Sequence, residues 1–460
     1  MKHWFKDQHF RSLLKNTSYL GVSKIVAAVA GIATLAFAGR GLGVILFGTL
    51  ILITSYIKAV SGIAKFQSWQ LIVRYGGAGA TQGDPEHFQV ATGFAFALDM
   101  VSGIGGMIIG AALLPLIGER VGIHPNYLWL AMLYCTLLPI MAAATPDGVL
   151  RVLNRFDLMS WGDTISPITR AILTCIAFLS GASFPVYVGI WFCTDLIGNL
   201  YAWILGWREL KRHGLLEGIR PTLKPTVLPG AWRFAIDVNL ATSVQAVWGP
   251  IGRLVVGSLL GPAGAALFRV ASTLADSAQK PADLLGKAFY PEVMRMDLSS
   301  GRPWKLMLRG TALISGIALI AITVVLIGGR PLMALLFGKA FVGAYAPLVI
   351  LMAIPFIGIF SFPLSPMLYA LGRSGAPLKA KLLGSAVFFV TIAPLSWAWD
   401  VVGAAIALVL ANLVNTATMM VQLRGEHRRV RAPVRSAHTN RIMNSRADSL
   451  HEMDRQNSGR

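Results

Sequence analysis

The chain has 460 residues, 55% of them hydrophobic and only 13% charged, with a mean hydropathy of +0.62. A soluble domain carries about 25% charged residues, so there is too little polar side chain to cover a water-soluble body. That excludes a soluble enzyme, a disordered chain and a nucleic-acid binder, and the net charge of +20 does not revive the last, because the basic residues are sorted by position.

The first 15 residues are basic and lack a short apolar stretch with a cleavage site, so they read as a retained cytoplasmic segment. A membrane-crossing helix needs about 20 mostly apolar residues. Twelve stretches qualify, at 16–38, 43–64, 89–117, 126–147, 164–183, 186–207, 236–259, 263–285, 306–328, 344–370, 382–399 and 402–423. The tenth contains Pro347, Pro355, Pro363 and Pro366 and is expected to be kinked or broken. From residue 425 to 460 the chain is Arg-rich and without periodicity, which predicts a flexible basic cytoplasmic tail.

Counting Lys and Arg orients the bundle. With the N-terminus inside, 32 of the 41 fall in cytoplasmic segments and four (Arg40, Arg120, Arg330, Lys339) in outer loops. The other five lie within spans. Both termini are therefore expected in the cytoplasm, and basic loops lying against anionic lipid explain the net charge. The longest basic loop, 208–230, divides the chain into six-span halves at 16–207 and 231–424. Leu-Gly recurs after spans one and seven, at 42–43 and 260–261, as a weak internal echo. Six spans return the chain to its starting side, so the halves form a parallel repeat. The fold class is thus an all-α polytopic membrane protein of about twelve transmembrane helices in two six-helix lobes.

Function then rests on what is polar inside the membrane, where an ionisable group costs about 2.5–3.5 kcal/mol on insertion scales. Lys24 in span one lies on a stripe with Ala27, Ala28 and Gly31, which suits close packing or a cavity wall; snorkelling to the headgroups is the competing reading. Lys58 in span two shares a face with Thr54, Ser55, Ser61, Gly62 and Lys65, a wet side. Asp99 in span three and Asp195 in span six are too short to snorkel, so each is read as a cavity ion pair or a coupling group. Arg253 lies in the outer part of span seven. Arg269 opens a polar face of span eight that runs through Thr273, Asp276, Lys280, Asp283 and Lys287; a helix so marked lines water or a polar interface, or carries a salt-bridge ladder. Arg170 is assigned to the inner interface, and Asn412 and Asn415 to helix–helix hydrogen bonding. Lys24 and Lys58 in the inner half, with Arg253 and Arg269 in the outer half, would make a cationic ladder that favours an anion.

No GxxxxGK[ST], HExxH or CxxC occurs, and the three cysteines (Cys135, Cys175, Cys193) read as small buried apolar residues. No catalytic constellation is visible, and neither cofactor nor metal is expected.

Four stretches carry a family likeness: Arg40-Gly-Leu-Gly…Phe47-Gly; Phe66-Gln-Ser-Trp-Gln…Arg74-Tyr-Gly; Leu259 through Arg269-Val-Ala, continuing to Lys280-Pro and Tyr290-Pro-Glu; and Leu336-Phe-Gly-Lys-Ala-Phe before span ten. In order and spacing the chain resembles the polysaccharide-transporter branch of the multidrug/oligosaccharidyl-lipid/polysaccharide (MOP) exporter superfamily, the Wzx-like flippases. The resemblance implies a MATE/MOP-like V of two lobes in a bacterial inner membrane. It implies a lipid-linked oligosaccharide substrate, flipped for lipopolysaccharide or exopolysaccharide assembly among membrane lipids and beside a polysaccharide polymerase, with no nucleic-acid partner. It would give pyrophosphate binding to Lys24, Lys58, Arg269 and Arg253. Related lipid II flippases use arginine-rich cavities, whereas lysine stands in the first two spans here. Two other readings stay open. One is an ion-coupled multidrug or organic-cation antiporter using Asp99 and Asp195. The other is a membrane glycan polymerase or ligase, against which the short outer loop at 329–343 argues.

Overall fold

The computed structural model describes residues 25–424 in side-chain detail apart from 78–84, 281–314 and some isolated positions, and assigns backbone helix beyond them as far as Gln8 and Asn457. The expected basic N-terminus, Lys24, Asp283, Lys287 and the tail from 425 lie outside the residues so described.

Among the described residues seven helices are long and apolar enough to cross a membrane, or eight with one bent pair counted as a span. Three of them belong to continuous helices of 57, 65 and 82 residues, too long to be single crossings. A straight helix of 52 residues (25–76) would reach about 80 Å, far beyond a hydrocarbon core of ~30 Å. Each of the three contains a backbone break. Gly43 (φ 69°, ψ 175°) separates spans one and two. Gly261 (φ 70°, ψ −175°) separates spans seven and eight. Trp399 and Asp400 separate spans eleven and twelve. The torsions at Gly43 and Gly261 belong to a region that is essentially glycine-only, which explains why the echoed Leu-Gly pair stands at both points. All three breaks fall in or beside the gaps expected from hydropathy.

Span three is Pro85–Ile117. Span four is the bent pair Pro125–Cys135 and Leu138–Val152, folded by 50°, where Pro139 opens the second piece and Pro146 begins the helix Thr145–Val152. Span five is Phe156–Leu179 and span six Phe184–Arg212. Span nine lies in Arg302–Phe337. Span ten is broken as its prolines predict, into Tyr345–Leu351, Ala353–Ser361 and Leu364–Ala370. No strand occurs among the described residues.

Where spans one and two meet spans seven and eight, the interior is built of small and aliphatic residues. Ala38, Ala59, Ala265, Ala266 and Ala271 are almost fully buried beside Leu50, Ile53 and Ile57. Small residues let helix backbones approach where lipid offers no competing hydrophobic drive. Outward-facing Ile108, Leu116, Ile320, Ile327, Val390 and Trp397 are each at least 60% exposed. That surface would be untenable in water and is the expected one against acyl chains.

One end of the bundle is sealed across the two halves. Phe47 meets Phe341 edge to face at 5.6 Å, and Gly48 lies so close to the Pro262 carbonyl that a Cβ there would collide with it. The Arg40 guanidinium donates to the Leu336 carbonyl at 3.1 Å and to that of Leu335. Two of the likeness-bearing stretches, at 40–48 and 336–341, thus meet in one contact.

Candidate functional site

Spans one, two, five, six, seven and eight enclose a central cavity of about 680 Å³. Lys58, Arg253 and Arg269 all line it, together with Thr54 and Ser55 from the Lys58 face, Ala27 and Gly31 from span one, and Thr273 from span eight. Three of the four expected cavity cations are therefore brought together; the fourth, Lys24, has a side chain outside the described residues. No carboxylate is among the described residues that line the cavity.

The cations are held differently. Arg253 Nε donates to Ser55 Oγ at 2.8 Å, a bond from span seven to span two. Lys58 is exposed to the cavity. Among the described residues neither Lys58 nor Arg269 has an ion-pair partner within 4.0 Å. Thr273 does not supply Arg269 with one: its hydroxyl donates to the Arg269 backbone carbonyl at 2.8 Å. Asp195 and Asp276 lie within electrostatic reach of these cations but do not line the central cavity, and a cation at membrane depth without a carboxylate in direct contact is costly, so the arrangement suits an anion from outside.

Arg170 is a cavity residue, not the interfacial one expected. The cause is the start of span five. Its helix begins at Phe156, eight residues before the apolar stretch, which carries Arg170 to mid-helix. Arg170 pairs with Asp195 and donates from Nε to Thr194 Oγ1 at 2.8 Å. It also lies 5.4 Å from the Trp191 ring centroid. Tyr134 donates its hydroxyl to the other Asp195 oxygen. The ion pair expected at Asp195 exists, and its partner is the arginine that hydropathy misplaced.

Asp99 does not join it. Its carboxylate is wholly buried, and four donors converge on Oδ2: Ser68 Oγ at 2.9 Å, the Ala144 and Thr145 amides at 2.8 Å each, and Thr145 Oγ1 at 2.7 Å. The two amides belong to the start of the helix Thr145–Val152, so Asp99 satisfies orphan N–H groups and complements the helix dipole. Instead of pairing with a cation in the cavity, it ties spans three and four to the short helix Ser68–Leu71.

Two side chambers flank the cavity. The first, of about 1120 Å³, lies among spans two, four, five and six and shares Pro167 and Arg170 with the central wall. The second, of about 920 Å³, lies among spans seven, eight, ten, eleven and twelve and shares Arg253. Asp276 lines the second, with Gln279, Lys381 and Asn412. The expected polar face of span eight thus divides: Arg269 and Thr273 turn to the central cavity, Asp276 to the side chamber. Lys280 follows on the same helix and lines neither space. Lys381 Nζ lies 4.8 Å over the Trp248 ring. Asn412, expected to bridge helices, donates to the Leu408 carbonyl of its own helix at 2.8 Å. Of the three cysteines, Cys135 is buried, Cys175 partly so, and Cys193, read from the sequence as buried, is exposed.

Two groups of helices around a cationic cavity, in contact with each other at one end, make a fold shared with solved MATE transporter and flippase structures. The chain superimposes on an inward-facing multidrug resistance MATE family transporter of the MOP superfamily with a TM-score of 0.68, at 15% identity over 89% of this chain and 94% of the other. Against the lipid II flippase MurJ in an inward closed conformation the TM-score is 0.61, at 13% identity over 88% and 87%. At such identities the likeness is one of fold. The sequence is 40% identical over 347 residues to the inner membrane protein YghQ of Escherichia coli (strain K12), spanning 75% of this chain and 98% of that protein, and the chain belongs to its family. No protein-family model matches the sequence.

Proposed function

We propose that the chain is a flippase that carries an undecaprenyl-pyrophosphate-linked oligosaccharide across the bacterial inner membrane by alternating access, for lipopolysaccharide or exopolysaccharide assembly. The carrying observation is the central cavity itself: Lys58 and Arg269 without an ion-pair partner among the described residues, Arg253 beside them, and no carboxylate in the described lining. Such a space stabilises a pyrophosphate through charge-assisted hydrogen bonds and disfavours an organic cation. Lys24 would join these three as the innermost contact. The lobes 16–207 and 231–424 rock about the 208–230 linker with both termini cytoplasmic, and the substrate leaves by parting of the Phe47–Phe341 seal. A MATE-like fold that also overlays MurJ, whose name gives a lipid-linked cargo, is compatible with this reading.

A second reading, an ion-coupled multidrug antiporter, draws support from Asp147 and Asp195 in the first side chamber, where a cationic drug would find carboxylates. The deciding experiment uses a strain deleted for the gene. Undecaprenyl-linked sugars are extracted and their leaflet assigned with a membrane-impermeant probe. Inner-leaflet accumulation, rescued by the wild-type chain but not by Arg269→Ala at equal membrane level, is the expected result. Normal outer-leaflet display with drug sensitivity instead would establish the antiporter.

A further inference from the structure

Resting on that reading, we infer that the first side chamber is the subsite for the sugar nearest the pyrophosphate, a neutral hexose or N-acetylhexosamine ring, while the central cavity holds the phosphates. The two spaces adjoin through shared Pro167 and Arg170, so one ligand can reach from one to the other. Their polar linings differ in kind. The central cavity presents cations with no described carboxylate. The chamber presents Asp147, Asp195, Asn199 and Tyr201 opposite Lys65 and Arg151. A phosphate placed there would meet two carboxylates mixed among Lys65, Arg151 and Arg170 rather than an all-cationic wall, whereas a hydroxyl-rich neutral ring would find donors, acceptors and an aromatic face in one concavity.

Local geometry keeps that wall open and its groups fixed. Arg170, held by Asp195, closes the chamber's share of negative charge off from the phosphates. The Asn199 amide donates to the Asp195 carbonyl at 2.7 Å, leaving its Oδ1 as an acceptor. Gly162 lies beside the Tyr201 ring, which a Cβ would meet at 3.2 Å. Gly198 likewise faces Ser166, whose Cβ an added Cβ would meet at 2.9 Å. Larger residues at either glycine would fill the space from the side.

The test is binding of two lipids to the purified full-length protein in detergent: undecaprenyl pyrophosphate, and the same lipid bearing one N-acetylglucosamine. The wild type is expected to bind the sugar-bearing lipid about tenfold more tightly, the worth of one or two satisfied hydrogen bonds. The double variant Asn199→Ala with Tyr201→Ala, and separately Gly162→Val, bring its affinity down to that of the bare lipid. Arg269→Ala weakens both lipids by a similar factor. Equal affinities in the wild type, or a preference that survives both chamber variants, would overturn the subsite and leave the flippase reading intact. Failure of the wild type to bind either lipid, or an Arg269→Ala protein that binds both normally, would instead sink the flippase reading and the subsite with it.

Discussion

The two halves hold their intramembrane charge by opposite means. In the first, Asp195 is gripped by Arg170 and Tyr134, and Asp99 by four donors on one oxygen. In the second, Arg253 reaches across to Ser55 of the other half, and Arg269 has no ion-pair partner among the described residues. Buried charges that are paired and hydrogen-bonded serve structure and are costly to break. Buried charges left open raise the energy of the empty protein and recover it from a ligand. The first half therefore behaves as scaffold and the second as bait, with Lys58 of the first half lent to the bait.

Four substitutions would break or sharpen that contrast. Removing bait should cost function and spare the fold. Arg269→Ala is expected to cut flipping about 100-fold, the upper end of losing charge-assisted hydrogen bonds to a phosphate, with an unchanged or raised melting temperature in a detergent thermal-shift assay. A melting temperature that falls with the activity would make Arg269 scaffold too. Removing scaffold should do the reverse. Arg170→Ala leaves Asp195 uncompensated and is expected to cost about 3–5 kcal/mol, seen as lost membrane-inserted protein, with Asp195→Ala in the same background restoring part of it. Asp99→Leu strands the donors it now satisfies, at a cost of about 2–4 kcal/mol, while Asp99→Asn, which keeps an acceptor, costs about half as much. Circular-dichroism melts of the pair separate these, and equal melts would show that the cap contributes little. Smallest is Ser55→Ala, which deletes one bond between the halves and should shift the open–closed balance by about 1 kcal/mol. The rate at which an impermeant maleimide labels Ala344→Cys, a fully buried position three residues from Phe341, in a cysteine-free background reports that shift; no change in rate would place the Arg253–Ser55 bond outside the gate.

The same contrast explains how much could be read from the amino acids. Span positions and the gaps between them followed from hydropathy, whereas the repeated Leu-Gly was read only as an echo of two halves and not as the site of the breaks at Gly43 and Gly261. Lys58, Arg253 and Arg269 were legible because each carries a charge where the helix is otherwise apolar, Lys58 and Arg269 with polar neighbours at helical spacing. Arg170 was not, because polar residues Asp157, Ser160 and Asp163 hide the true start of its helix. Asp99 was misread because two of its four donors, the Ala144 and Thr145 amides, lie 45 and 46 residues away and are backbone groups that no residue pattern reveals. The side chambers were equally invisible, since each is the space left by four or five spans and belongs to none of them.

The matching torsions at Gly43 and Gly261 carry a last consequence. Two halves that turn at equivalent points with nearly the same φ and ψ are what duplication of a six-span unit leaves behind. An ancestral pair of such units, related by a twofold axis along the membrane normal, would have enclosed a cavity but would have been bound to place every charge twice. Fusion into one chain lifted that constraint. It allowed an arginine to be locked to an aspartate on one side and left open on the other, an asymmetry forbidden to a homodimer.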